Sequence, residues 1–273
     1  MAHTIAIASG KGGAGKSTVT ANLGALLSRD GFRTLIIDAD IGLRAQDALL
    51  GLENRVVYDL VDLVEGSCLP EDAVLPCESW SGLFLLPAAQ FARAKSIDAK
   101  RFRKLLTPLR AGFDFVLIDC PAGLERGLRN VLGAGIDEVL LITAPDDLSL
   151  RCAERVRQLT EEKDLERPRL IVNRIIPDLV RDHLMITAAT AAQVIDLPLL
   201  GEIPEDPAVG LALLRHSLPV LYDCESRRAF QRIASRLEGK DIPFPDYGAE
   251  KEPFFRKLFR SNRLREVTPL DDH

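Results

Sequence analysis

Nine residues near the start of the chain, Gly10-Lys11-Gly12-Gly13-Ala14-Gly15-Lys16-Ser17-Thr18, carry the types and spacing needed to hold a phosphate. Glycines let successive backbone N–H groups converge on an anion, and a helix N-terminus adds partial positive charge. In the pattern G-x-x-x-x-G-K-[ST], Lys16 reaches the β- and γ-phosphates and the Ser17 hydroxyl can ligate Mg²⁺. The pattern is credible only between a strand and a helix. His3 to Ser9 is short, apolar and strand-like, and Val19 to Leu27 carries apolar residues at helical spacing. Three aspartates complete the candidate chemistry. Asp38 and Asp40 end a second apolar run (33–38), and Asp119 ends a third (113–119). Carboxylates at the C-terminal ends of parallel strands lie where ligands bind in open α/β sheets. Four apolar residues followed by Asp119 have the form of a Walker B strand, with Asp119 holding Mg²⁺ through water.

The elements that must position these groups alternate between strand and helix. Strand-like runs at 82–88, 138–144, 169–174 and 199–206 are separated by helical patterns, including 99–109, 145–163 and 226–237. A helix is expected over 55–64, with Val57, Leu60, Val61 and Val64 on one face. This alternation implies an α/β fold, a mostly parallel, doubly wound sheet. Asp206 can serve as an N-cap for the next helix. Asn173, ending a strand, carries an amide donor and acceptor that can pair with an adenine edge.

The chain has 273 residues, 47% hydrophobic but only 5% aromatic, so one large domain with an aliphatic core is expected. A net charge of −5 gives no global pull toward nucleic acid. Five cysteines without a C-x-x-C pair suit a reducing cytoplasm. The N-terminal apolar run is too short for a signal peptide, and no run is long enough to span a bilayer, so membrane contact is expected to be peripheral.

The last segment changes character. Pro243, Pro245 and Gly248 mark a linker, 243–252, after a body spanning 1–242. From 253 to 263 the residues Phe254, Phe255, Leu258 and Phe259 fall in one apolar arc at about 100° per residue. Arg256, Lys257, Arg260 and Arg263 fill the remainder. Residues 251–265 carry a net charge of +5 and the rest of the chain −10. A cationic amphipathic segment on an acidic body is the pattern of a helix lying on an anionic membrane. Four large apolar side chains offer roughly 6–12 kcal/mol at the hydrocarbon limit. Ordering about ten residues costs around 1–2 kcal/mol each. One copy would then bind marginally, whereas two held in a dimer gain about 10²–10⁴-fold by effective concentration. Residues 264–273 are unassigned.

The early lysine, Lys11, gives K-G-G-x-G-K-[ST], which resembles the deviant Walker A loop of the MinD/ParA family. Asp38-Ala-Asp-Ile-Gly-Leu-Arg44, Asp119-Cys-Pro-Ala-Gly123 and Phe254-Phe-Arg-Lys-Leu-Phe259 resemble the switch I, switch II and membrane-targeting sequences of its MinD branch. The resemblance runs from Thr4 to about Arg260. It implies an ATP- and Mg²⁺-dependent ATPase that dimerises on ATP, attaches to the inner face of the cell membrane and positions the division septum. Its partners would be a MinC-like inhibitor and a MinE-like activator, reached through a surface containing Arg151, Glu154 and Arg155. In that family the early lysine, here Lys11, reaches the partner's phosphates, the position of Asp40 is tied to the attacking water, and that of Asp38 lies near the Mg²⁺ shell. Asn173 resembles the adenine-reading residue, and Pro204 to Asp206 the segment closing over the base. Three positions depart from the pattern. Ala45 stands for an asparagine, with Gln46 beside it facing another direction; Cys120 replaces a serine and Cys152 an acidic residue. Alternatives are a ParA-like DNA-segregation ATPase, a MinD-type ATPase setting flagellar number, and a scaffold that binds nucleotide without hydrolysing it.

Overall fold

The computed structural model describes residues 2–90, 97–124 and 126–247. The chain opens with β1 (His3–Ala8), α1 (Lys16–Arg29), β2 (Thr34–Asp38) and α2 (Gln46–Leu50). Then follow α3 (Leu60–Glu65), α4 (Pro70–Ala73), β3 (Leu75–Pro76), β4 (Leu83–Leu86) and α5 (Ala99–Leu109). The middle contains β5 (Phe115–Asp119), α6 (Arg126–Leu132), β6 (Glu138–Thr143) and α7 (Asp147–Glu161). The last part is β7 (Arg169–Ile175), α8 (Pro177–Arg181), α9 (Ala188–Ile195), β8 (Leu199–Pro204), α10 (Pro207–Leu214) and α11 (Glu225–Leu237).

The strands form one eight-stranded sheet in the order β3-β4-β2-β5-β1-β6-β7-β8. Every pairing is parallel except β3 with β4 at one edge. This is the mostly parallel α/β architecture that the alternating pattern predicts. Both faces are covered, so the inner strands are buried on both sides and read as continuous apolar runs. Ile5, Ile7, Ile36, Leu117 and Leu140 pack toward α1 and α11. Their neighbours Ala6, Leu35, Val116, Ile118 and Val139 pack with α5, α6, α7 and α9 on the other face.

Connections run from β1 toward β4, return to β5, then cross to β6 on the far side of β1. That reversal creates a switch point at the carboxyl ends of β5, β1 and β6, the position where open α/β sheets bind ligands. The expected helix over 55–64 is shorter than its apolar pattern: α3 starts at Leu60. The Asp59 side chain accepts hydrogen bonds from the Val61 and Asp62 N–H groups, and the Asp62 carboxylate accepts one from Asp59 N–H. This capping box fixes the start and leaves Val57 77% exposed ahead of it. The amphipathic segment 253–263 lies outside the described residues.

Candidate functional site

The loop after β1 is built around two close approaches. Gly10 lies against α7, where a Cβ would come within 2.3 Å of the Cys152 carbonyl oxygen. Gly15, the N-cap of α1, has φ +93°, and a Cβ there would come within 2.3 Å of Asn173 Nδ2. Glycine is required at the first for space, and at the second for conformation as well. Gly12 and Gly13 are exposed, Ala14 is buried, and Ser17 and Thr18 lie half-buried in the first turn of α1. No side chain caps that helix, leaving its first N–H groups directed at the loop.

Beneath the loop, Lys16 is 5% exposed. Its Nζ donates to Asp119 Oδ1 at 2.6 Å and stands 3.7 Å from Asp40 Oδ2. Strand register brings the carboxylates together, since Asp38 on β2 is the direct partner of Asp119 on β5. Asp38 and Asp119 are wholly buried, whereas the Asp40 side chain retains 18% exposure. The Asp38 carboxylate accepts from the N–H groups of Asp40 and Gln46, each at 3.0 Å.

The electrostatics follow from burying three acids beside one base. Burial raises the Asp38 carboxyl and Asp119 raises it further, against those two backbone hydrogen bonds and the Lys16 charge. For Asp40, burial again dominates; Lys16 opposes it and Asp119 assists, leaving the group above its ordinary value. Burial works against the Lys16 charge, but the charge of Asp119 and its hydrogen bond overcome this and hold the ammonium above its usual range. A divalent cation would reverse the penalty on the carboxylates.

The donor set suits such a cation. Ser17, Asp38 and Asp119 offer hard oxygens, as Mg²⁺ requires, and the buried Gln46 Oε1 lacks a hydrogen-bond donor. No group of three or more His, Cys, Asp or Glu side chains forms a metal cage among the described residues. Mg²⁺ typically needs none, taking one or two carboxylates and completing its shell with water and phosphate oxygens.

Lys11 is exposed beside Asp146, the N-cap of α7. Burial alone would raise the Asp146 carboxyl, but hydrogen bonds from Ser149 and the charge of Lys11 bring it below its ordinary value. Asn173 Nδ2 donates to the Ala14 carbonyl at 2.8 Å, and its Oδ1 accepts from Arg174 N–H at 2.9 Å. Asn173 therefore ties the end of β7 to the loop. Pro204 is buried at the end of β8. Asp206 is the N-cap of α10 through Ala208 N–H at 2.9 Å, and its other oxygen accepts from Ser226 N–H at 3.0 Å. Of its two readings, the capping one has the hydrogen bonds. Phe254, Phe255, Arg256, Lys257, Leu258, Phe259 and Arg260 lie outside the described residues.

Gln46 is the residue that sequence reasoning underrated. Positive φ values at Gly42 (+95°) and Arg44 (+48°) fold the chain back after Asp40. Gln46, wholly buried at the start of α2, is thereby brought beneath the loop. Its Nε2 donates to Asp119 Oδ2 at 2.7 Å and to the Ser17 carbonyl at 3.0 Å. Helical spacing from Ala45 gave no signal of this, because Ala45 is the N-cap and precedes the helix.

Comparison with known proteins agrees with this geometry. Residues 5–220 match the CobQ/CobB/MinD/ParA nucleotide binding domain family. The septum site-determining protein MinD of Synechocystis is 40% identical over 262 residues, covering 95% of this chain and 98% of that protein. The MinC:MinD cell division protein complex of Aquifex aeolicus contains a chain 36% identical with a TM-score of 0.83, covering 91% of this chain and 100% of that one. Pyrococcus horikoshii MinD, solved with Mg-ADP, is 31% identical with a TM-score of 0.78, covering 87% and 96%. The loop with two lysines, the paired carboxylates below it and full-length similarity together place the chain in the MinD/ParA family of nucleotide-binding proteins, on its septum site-determining MinD branch.

Proposed function

We propose that this chain is an ATPase that cycles between a membrane-bound dimer with ATP and a released form after hydrolysis, and so helps place the division septum. The observation that supports this most is the cluster of Lys16 with Asp119, Asp38 and Asp40 at the sheet's switch point, below a glycine loop leading into α1. Backbone N–H groups of residues 12–18 bind the phosphates, and Lys16 exchanges its carboxylate partners for the β- and γ-phosphate oxygens. Ser17, Asp38 and Asp119 hold Mg²⁺, which when bound neutralises charge on the phosphates. Asp40, the most accessible of the three acids, orients the attacking water. It borders a cleft of about 520 Å³ that also contacts Pro121 and Ala122 after β5. Lys11 is exposed and contributes its charge to the second copy's nucleotide. Asn173 and Pro204 border the base, and Asp206 anchors the start of α10 beside it.

Among the described residues no helix is long and apolar enough to cross a membrane. The amphipathic segment 253–263 supplies peripheral attachment, its apolar arc entering an anionic surface and its basic residues pairing with headgroups. A MinC-type inhibitor is the first partner to expect, since the Aquifex aeolicus relative was solved in such a complex. A MinE-like activator follows from the same membership.

The test is co-sedimentation of the full chain with anionic liposomes in ATP or ADP, alongside phosphate release. ATP-dependent sedimentation and release above a Lys16→Ala control are expected. Release at the control level would leave a nucleotide-binding scaffold. Salt-sensitive DNA binding without lipid binding would favour a DNA-segregation role.

A further inference from the structure

Gln46 joins three parts of the phosphate-binding end at once. Its backbone N–H donates to Asp38 Oδ2 at 3.0 Å. Its side-chain Nε2 donates to Asp119 Oδ2 at 2.7 Å and to the Ser17 carbonyl at 3.0 Å. The Ser17 carbonyl can only accept, which fixes the orientation of the amide: turning it over would place oxygen against oxygen. The amide oxygen is consequently left on its own. Gln46 is wholly buried, and its Oε1 is buried without a donor.

Buried amide oxygens are normally satisfied, and a specific exception calls for an explanation. Here the neighbours restrict the answer. Asp38, Asp119 and Ser17 are the cation-holding set, and a water bound to a divalent cation offers its hydrogens, because its lone pair is committed to the metal. We infer that Gln46 is a positioning residue for the nucleotide-bound Mg²⁺: Nε2 fixes Asp119 against α1, and Oε1 accepts a hydrogen bond from a cation-bound water. The inference rests on the nucleotide and magnesium reading of the site but not on hydrolysis. It also gives the departure at Ala45-Gln46 a physical content, with an amide moved one residue along the chain and inward.

The experiment uses the full chain with ADP, Mn²⁺ as a spin probe titrated by electron paramagnetic resonance, and metal-free ADP affinity measured in EDTA. Loss of an outer partner of a metal site typically weakens metal binding by about 10- to 100-fold. Gln46→Leu should show that loss for Mn²⁺, with a smaller change in metal-free ADP affinity. Gln46→Met, close to glutamine in length and flexibility, removes the same donor and acceptor and should show the same loss. Wild-type Mn²⁺ affinity in Gln46→Leu would overturn the inference and point to an ordinary buried water on Oε1. Wild-type Mn²⁺ affinity in Gln46→Met would overturn it as well, and decides the matter should the leucine variant not fold. Failure of the wild-type chain to bind ADP would remove the underlying site reading, an outcome visible before any variant is compared.

Discussion

Gly15 and Asn173, 158 positions apart, should be energetically coupled through one side-chain amide. Alanine at Gly15 would be held at φ +93° and would place a methyl 2.3 Å from Asn173 Nδ2. The left-handed conformation alone costs roughly 1–2 kcal/mol for a residue with a Cβ. The obstructing atom is the end of a side chain, so Asn173 can rotate away, but only by giving up its bonds to the Ala14 carbonyl and Arg174 N–H. Two such bonds contribute about 0.5–1.5 kcal/mol each, bringing Gly15→Ala to roughly 2–5 kcal/mol. Asn173→Ala loses the same two bonds, about 1–3 kcal/mol. In the double variant those bonds are lost only once. Its cost should therefore fall short of the sum of the single variants by about 1–3 kcal/mol, well above the scatter of independent sites. Urea unfolding of the four proteins measures the coupling, and ADP affinity shows whether loop and strand are coupled for binding too. Additivity within about 0.5 kcal/mol would refute the argument; it would mean that the loop moves away and Asn173 keeps its bonds.

Lys16→Ala removes the donor proposed to bind the γ-phosphate as charge develops, and should lower phosphate release by about 10²–10³-fold, as for loss of a charge-stabilising donor in other active sites. Asp206→Ala should cost about 0.5–2 kcal/mol for the lost α10 cap, read as a lower unfolding midpoint, with ADP affinity unchanged; a large affinity loss would restore the base-closing role. Burial raises the Glu202 carboxyl from 4.5 to about 7, with Arg232 and Arg236 opposing and Asp246 assisting. The folded form therefore holds this proton more tightly than the unfolded chain, so this residue's contribution to stability is present below pH 4.5 and is lost as pH rises through 7. Glu202→Gln should remove that part of the slope in urea titrations between pH 4.5 and 7. Phe255→Glu should abolish liposome binding while ATP-dependent dimerisation, followed by light scattering, survives; loss of both would make residue 255 part of the fold.

Much of the architecture was legible because its signals are local. Continuous apolar runs ending in aspartate at Asp38 and Asp119 identify strands buried on both faces, and the boundaries of α5 match the 99–109 pattern. Where periodicity competed with a cap, the cap prevailed, as at Asp59, whose carboxylate starts α3 five residues after the beginning of the apolar pattern. The side-chain pairings beneath the loop were not local. Asp38 and Asp119 lie 81 positions apart and become neighbours through strand register. Lys16 and Asp119 meet across 103 positions.

The departures from the family pattern show most clearly what a linear reading misses. At position 45 the loss of an amide reads as a loss of function when each residue is compared with its counterpart. Folding back at Gly42 and Arg44 makes position 46 the inward one, and the amide there bonds both the Asp119 carboxylate and the Ser17 carbonyl. A motif specifies which chemical groups a site needs, whereas backbone geometry decides which positions can deliver them. Asp206 illustrates the converse, a residue in a familiar position whose two carboxylate oxygens are occupied by the N–H groups of Ala208 and Ser226. The capability of this site is therefore better judged from the bonds its residues make than from its matches to the pattern, and by that measure Gln46 belongs to it more firmly than Asp206 does.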